Sequence, residues 1–513
     1  MVIRKDLDMR DVLLGVDIGT SSCKVAAFLP DGKVVAACGE EYEVKRPHPG
    51  WAEQNPEDWT EAVFTSIRRI FEESDVTPEE IRGVGVDGQS WSAIAVDKDG
   101  KVLADTPIWM DMRAQDICDE INDKVGKDRI FDLAGNPLTP SYTTPKVIWY
   151  KREHPDIYDK TDKILQSNSF LVYRLTGVIS QDMSQCYGWH CFDMRRGRWD
   201  SDMAGDLGIK ESLLPDIYAC DAIVGKVTEE ASNRTGLLAG TPVVAGGLDA
   251  ACGTLGSGVV RKGETQEQGG QAGGMSICID EYAADPRLIL SYHVVPGKWL
   301  LQGGTTGGGG VMRWFEQNFA DYERNNGSDR SSLVQLNDIA EKIGAGSDGL
   351  TFLPYMSGER TPIWDPDAKG VFYGVDFSKT KGHFVRACME GVAFALRHNL
   401  DTAEASGAYV NELKAMGGSA NSILWTQIKS DVTGKRIVVP ASDTATTLGA
   451  AILAGVGVGI YSSYEEAVDR TVGVVRTHEP NMENKEIYDR AYRTYLEIYE
   501  DLKVLMKKTG SQK

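Results

Sequence analysis

The sequence predicts an α/β protein of two related domains, each built on a mixed β-sheet. Three observations carry this expectation. The chain has 513 residues, which at roughly 150 residues per domain gives two to four domains rather than one. Strand-like runs open the chain and then intermix with helical patterns, the order expected of a mixed sheet covered by helices. A strand-turn-strand unit near the N-terminus is echoed in layout, though barely in letters, about 250 residues later.

In order, residues 13–17 are a short apolar run, Gly19 to Ser22 form a turn cluster, and a second apolar run reaches Phe28 before a turn at Asp31 and Gly32. With residues 34–38 this reads as a β-meander. Residues 58–73 place Trp59, Val63, Ile67 and Ile70 on one helical face. Residues 81–86 and 92–97 read as further strands, the second closing at Asp99 and Gly100. The second hairpin comprises residues 264–268, the glycine-rich turn 269–274 and residues 275–279. The domain boundary is placed near Gly258, giving domains 1–257 and 258–513. Downstream, residues 311–319, 384–405 and 422–432 are helical by pattern. Residues 484–507 form a long amphipathic helix whose stripe of Ile487, Ala491, Tyr495 and Tyr499 reads as core packing.

Hydrophobic residues at 42% and charged residues at 25% are globular values that exclude disordered, collagen-like and membrane-spanning classes. Lys and Arg number 55 against 75 Asp and Glu, a formal charge of -20. Such a surface repels phosphate backbones and anionic lipids, so neither nucleic acid nor a membrane is an expected partner. The nine cysteines form no CxxC pair and the seven histidines lack metal-ligand spacing. Buried thiols in a reducing cytoplasm are expected, with any metal on oxygen ligands. Residues 1–10 carry no secretory pattern, and cytoplasmic residence is the expectation.

An acidic chain that binds an anion must do so with a local device. GxxxxGK[ST] is absent, and the two GxGxxG matches, at Gly83 to Gly88 and Gly344 to Gly349, lack the strand-turn-helix context of a dinucleotide site. Asp17-Ile18-Gly19-Thr20-Ser21-Ser22 is the better candidate: an Asp ending a buried strand, then a Gly and three hydroxyl residues offering N–H and O–H donors to phosphate. Asp17 can hold hydrated Mg2+, which takes one or two carboxylates and keeps most of its waters. The glycines from Gly303 to Gly310 precede a helical pattern, and Gly417-Gly418 with Asn421 precede another, positions where an anion meets free N–H groups.

These residues resemble the FGGY carbohydrate kinases, which share the ribonuclease H-like fold of the actin and hexokinase type ATPases. The stretch from Gly349 through Tyr355, Gly358-Glu359-Arg360-Thr361-Pro362 and Asp365-Pro366 is similar to that family's most specific segment. Residues 141–153, with Lys146 and Trp149, resemble its first signature and residues 370–390 its second; Gly417-Gly418 and Leu448-Gly449-Ala450-Ala451 also match. The resemblance runs from Asp17 to about Tyr461. It implies two such domains around a central cleft, the N-terminal one binding sugar and carrying the catalytic base, the C-terminal one binding nucleotide.

The implied activity is transfer of the γ-phosphate of ATP, with Mg2+, to a hydroxyl of a small sugar. D-xylulose to D-xylulose 5-phosphate comes first, with ribulose, gluconate or a glycerol-type polyol as alternatives and a non-catalytic ATP or sugar sensor as the contrasting class. Asp249, in Gly246-Gly247-Leu248-Asp249, matches the catalytic base; a sugar alcohol is barely nucleophilic at neutral pH, and a carboxylate in reach removes its proton as the new bond forms. Asp17, Thr20, Ser21 and Ser22 match the first phosphate hairpin, and Gly270, Gln271, Gly309, Gly417, Gly418 and Asn421 the nucleotide side. Trp51, Glu53, Asp111 and Arg113 fall in segments matching the sugar side, Asp111 as acceptor for two hydroxyls and Trp51 as cover for an apolar sugar face. Homodimers are common in the family, and no feature of this chain fixes its state.

Three departures stand out. Xylulose kinases typically carry Gly-Gln-Met-His-Gly at the strand end that touches the sugar, where this chain reads Gly88-Gln89-Ser90-Trp91-Ser92, so the resemblance puts Ser90 and Trp91 among the substrate-binding residues in place of that Met and His. The second hairpin, usually Gly-Thr-Ser-Gly, is Gly270-Gln271-Ala272-Gly273. A common Glu before the Leu-Gly-Ala-Ala run is absent, with Thr444 near its place.

Overall fold

The computed structural model describes residues 9–441 and 444–510. The first half opens with β1 (Val12–Ile18), β2 (Ser22–Phe28) and β3 (Val34–Glu41). Every residue of β1 is buried, as a central strand requires, whereas β3 is mostly exposed or half-buried, as an edge allows. Helix α1 (Pro56–Glu73) begins where Asn55 accepts a hydrogen bond from the Glu57 N–H and Pro56 supplies a preset φ; it buries Trp59, Val63, Ile67 and Ile70. Next come β4 (Ile81–Gly88), helix α2 (Thr143–Glu153), β5 (Ile223–Lys226), β6 (Pro242–Val244), β7 (Gly247–Leu248) and helix α3 (Asp249–Gly256).

The second half contributes β8 (Glu264–Gly269), β9 (Gly273–Ile279), β10 (Ile289–Tyr292), β11 (Trp299–Thr305), α4 (Gly309–Phe319), α5 (Lys381–Ala405) and β12 (Glu412–Met416). It ends with α6 (Ile423–Thr433), β13 (Arg436–Pro440), α7 (Ala445–Gly457), β14 (Val474–His478) and α8 (Lys485–Gly510).

The two sheets share one plan. The first runs β5-β6-β4-β1-β2-β3, with β7 beside β4, and the second β10-β11-β9-β8-β12-β13-β14. Each has three antiparallel neighbours, the meander β1-β2-β3 or the set β8-β9-β11, whose first strand pairs in parallel with a later strand, β4 or β12. That strand pairs in parallel with another, β6 or β13. This is the mixed α/β architecture expected, repeated twice.

Residues 92–97, read as one strand, form only Ile94–Val96. Trp91 has a left-handed φ of 58° that turns the chain before it, and the Asp97 N–H and carboxylate both engage Lys101 to begin the next turn.

The halves interlock. Helix α7, from the second half, lies on β1 and β4 of the first sheet. A Cβ on Gly85 would stand 1.9 Å from the Ala450 carbonyl, so only glycine lets the helix seat this deeply. Helix α3 in turn reaches the second sheet through Thr254, whose hydroxyl donates to Gln266 Oε1 at 2.9 Å. All nine cysteines are free thiols and eight are buried. Among the described residues no helix is long and apolar enough to cross a membrane.

Candidate active site between the two sheets

Strand register assembles an acidic centre. In the parallel pair β1–β4, Asp17 stands opposite Asp87, and β7 continues the same edge with Gly247 opposite Asp87 and Leu248 opposite Gly88. Asp249 follows directly as the first residue of α3. Three carboxylates therefore meet at the ends of three adjacent strands.

Asp87 is fully buried, and neither of its oxygens receives a hydrogen bond from a donor group. Burial, then the charges of Asp17 and Asp249, hold its carboxyl well above the ordinary range. Burial also raises Asp17. Asp249 is raised to about 7, first by burial and then by Asp17, against a 2.6 Å hydrogen bond from the Ala250 N–H. A carboxylate titrating near neutrality at the mouth of a cleft can both accept and release a proton.

Two adjoining cavities occupy the cleft. One, of about 360 Å³, is lined by Asp17, Gly19, Asp249, Gln268, Gly417 and Thr446. The other, of about 410 Å³, is lined by Ser90, Trp91, Trp109, Tyr187, Gln271 and Arg360. Ala250, Gln266 and Gln268 line both, so the two share a wall.

The first hairpin is braced from behind. Tyr42 donates to the Gly19 carbonyl at 2.6 Å, Gln54 donates to the Thr20 carbonyl at 2.9 Å, and Trp109 Nε1 donates to Thr20 Oγ1 at 3.0 Å. Ser21 and Ser22 keep their hydroxyls free of hydrogen bonds among the described residues.

On the second sheet, β8 and β9 join at Gly269 and Gly273, while β12 brings Met416 beside Gln268. Gly417 then has a φ of 80°, a conformation that favours glycine. Gly270, Gln271, Gly417, Gly418 and Asn421 thus gather around one end of this sheet. Beneath them Lys429 donates to Glu267 at 2.6 Å and to Ser419 at 2.7 Å, a fully buried tie between α6, β8 and the turn after β12.

Gly309 differs from its expected use. Its N–H donates to the Gly270 carbonyl at 2.7 Å and that of Gly310 to Gln271 at 3.0 Å, so the glycine run braces the hairpin with amides that a free helix end would offer to an anion.

Trp91 forms the wall of the second cavity, with Tyr142 at 4.3 Å and Tyr187 at 5.5 Å between ring centres. Its strained turn is clamped by Lys146, which donates to the Trp91 and Ser141 carbonyls at 2.9 and 2.7 Å. Burial lowers the Lys146 ammonium to about 7. Ser90 sits beside it on the cavity wall.

Asp111, Arg113, Glu53 and Trp51 form a separate cluster that lines neither cavity. Asp111 Oδ1 accepts from the Arg113 N–H and Nε, and Oδ2 from the Ala52 N–H and Arg113 Nη2, at 2.7 to 3.0 Å. These four donors fill the carboxylate's acceptor capacity, so its oxygens are not free for two sugar hydroxyls in this structure. Arg113 also bonds Glu53 at 2.7 Å and lies 3.7 Å from the Trp51 ring centre, occupying a face of that ring. Sequence reasoning missed Asp87 and Tyr187 as site residues, and it quoted Trp109 and Arg360 only within family segments, without a role of their own. Asp87 did leave a signal, as the one acid inside an otherwise apolar and Gly-rich run from Gly83 to Gly88.

The comparisons agree with this geometry. Residues 12–256 match the FGGY family of carbohydrate kinases, N-terminal domain, and residues 281–458 the C-terminal domain of the same family. A xylulose kinase of Bacillus subtilis (strain 168) is 30% identical over 495 residues, covering 96% of this chain and 97% of that protein. A gluconokinase of the same organism is 30% identical over 511 residues, covering 98% of each. The crystal structure of xylulose kinase from Rhodospirillum rubrum superposes with a TM-score of 0.90 at 28% identity, covering 97% of this chain and 100% of that one. With two sheets of one plan, an acid-lined cleft between them and relatives across nearly its whole length, this chain belongs to the FGGY family of carbohydrate kinases and is a sugar phosphotransferase of the actin and hexokinase-like fold.

Proposed function

We propose that the protein transfers the γ-phosphate of ATP to a hydroxyl of D-xylulose, with Asp249 as general base. The observation that carries the reading is Asp249 itself: a carboxylate raised to about 7, on the wall of the first cavity and directly before Ala250, which lines both. Sugar occupies the side walled by Ser90, Trp91, Trp109 and Tyr187. The triphosphate runs toward the Gly19–Ser22 and Gly417–Gly418 turns. Asp249 takes the proton of the attacking hydroxyl, and closing the cleft excludes water as a competing acceptor. Asp111, Arg113, Glu53 and Trp51 hold the sugar-side wall from behind.

Asp17, on the wall of the first cavity, suits Mg2+. Asp87 beside it is fully buried and lines neither cavity, so it stands behind Asp17 rather than on the ion. One or two carboxylates and several waters is the ordinary arrangement for this ion. Bound there, Mg2+ would supply positive charge to offset the phosphate oxygens.

A sugar acid such as gluconate is the second reading, favoured by Arg360 on the cavity wall. A coupled assay of ADP release over pentuloses, hexuloses, polyols and aldonates tests both. Activity first on D-xylulose is expected; activity only on polyols would remove the xylulose assignment, and no sugar-dependent release would remove the kinase.

A further inference from the structure

The cleft is lined by two acids on one side and a single cation on the other. Asp17 and Asp249 are the charged residues of the first cavity, and Arg360 is the one charged residue of the second, among the described residues. Its guanidinium is exposed and makes no ion pair or side-chain hydrogen bond among the described residues. The nearest carboxylate, Glu359, is buried and takes its hydrogen bonds from Thr305, the Thr306 N–H and the Arg360 N–H, not from the guanidinium.

The turn that carries it is rigidly mounted. The Arg360 N–H donates to Glu359 Oε1 at 2.7 Å and its carbonyl accepts from the Trp364 N–H at 2.6 Å. Glu359 also accepts from Thr305 Oγ1 and the Thr306 N–H, and Thr361 Oγ1 accepts from the Gly304 N–H and donates to buried Asn399. The backbone is thus riveted to the end of β11 while the side chain stays free. Arg360 Nη1 lies over Gly304, 4.0 Å from where a Cβ would stand.

We propose that Arg360 is the anion-recognising residue of this cleft. It takes an oxyanion through its planar fork, either the terminal phosphate of the nucleotide or the carboxylate of a sugar acid. Guanidinium matches both in geometry, and a fixed backbone with an unpaired head requires no existing bond to break on binding. The inference rests on the phosphotransferase reading only in that both sources would be substrates of such an enzyme.

The test is calorimetric titration of the wild type, Arg360→Gln and Arg360→Lys with ADP, D-gluconate and D-xylulose at fixed ionic strength. Loss of a charge-assisted hydrogen bond should weaken ADP or gluconate by about 10- to 100-fold in Arg360→Gln. D-xylulose, which carries no oxyanion, should lose less than either anion, and Arg360→Lys should recover only part of the loss. Weakening of ADP alone assigns the phosphate, and weakening of gluconate alone the carboxylate. ADP and gluconate both unchanged, or a wild type that binds neither, overturns the proposal, as does an equal loss of D-xylulose. A wild type with Arg360-dependent binding that turns over no sugar contradicts the kinase reading alone.

Discussion

Replacing Asp249 by Asn should stabilise the ligand-free protein above neutral pH while removing its turnover. The ordinary carboxyl value of 3.8 becomes about 7 in the fold, because burial and Asp17 disfavour the charged form. Between about pH 4 and pH 7 the folded protein therefore holds a proton that the unfolded chain gives up. Stability falls as pH rises through this window and levels off above it. At 1.36 kcal/mol per pH unit the full effect is about 4 kcal/mol. Asp249 is only half-buried, with one side on the cavity, and water there reduces the effect to about 2 kcal/mol. For a cooperative unit of this size, about 2 °C per kcal/mol gives Asp249→Asn a melting point about 4 °C higher at pH 8, fading toward zero near pH 4. Thermal melts of both proteins from pH 4.5 to 8.5, at one ionic strength, measure this. A difference constant with pH, or an Asn variant less stable at pH 8, would refute the electrostatic reasoning.

Lys429→Met alone should cost about 3–5 kcal/mol, because it strands Glu267 as a buried charge, and a double-mutant cycle with Glu267→Gln should show strong coupling between the two. Gly85→Ala should lower the melting point, since its Cβ would meet the Ala450 carbonyl at 1.9 Å and push α7 off the first sheet; overpacking of this kind costs about 1–3 kcal/mol. Trp91→Ala should raise KM for the sugar while leaving ADP affinity within about twofold, read from steady-state kinetics and calorimetry, because the ring walls the cavity opposite the Gly417 side.

How much of this was legible in the sequence depended on whether the signal was local. Helix α1 and both glycine hairpins were readable because apolar period and turn residues lie within a few positions of one another. Asp17 and Asp249 stood out in motifs. Asp87 did not, because its meaning comes from parallel pairing with β1, a contact 70 residues away in the chain. Periodicity also says nothing of where α7 docks, and its packing on the first sheet depends on Gly85 in the opposite half. Asp111 illustrates the converse: a carboxylate in a sugar-side segment reads as a ligand acceptor until its four donors are seen. Gly309 likewise reads as an open helix end until its amide is found on the Gly270 carbonyl.

Turnover and sugar affinity of Asp249→Asn, measured on the same preparation, test the central claim most directly. D-xylulose should bind within about threefold of wild type, with ADP release reduced by about 10²- to 10⁴-fold, the contribution of a positioned general base. Near-normal turnover by that variant would contradict the claim.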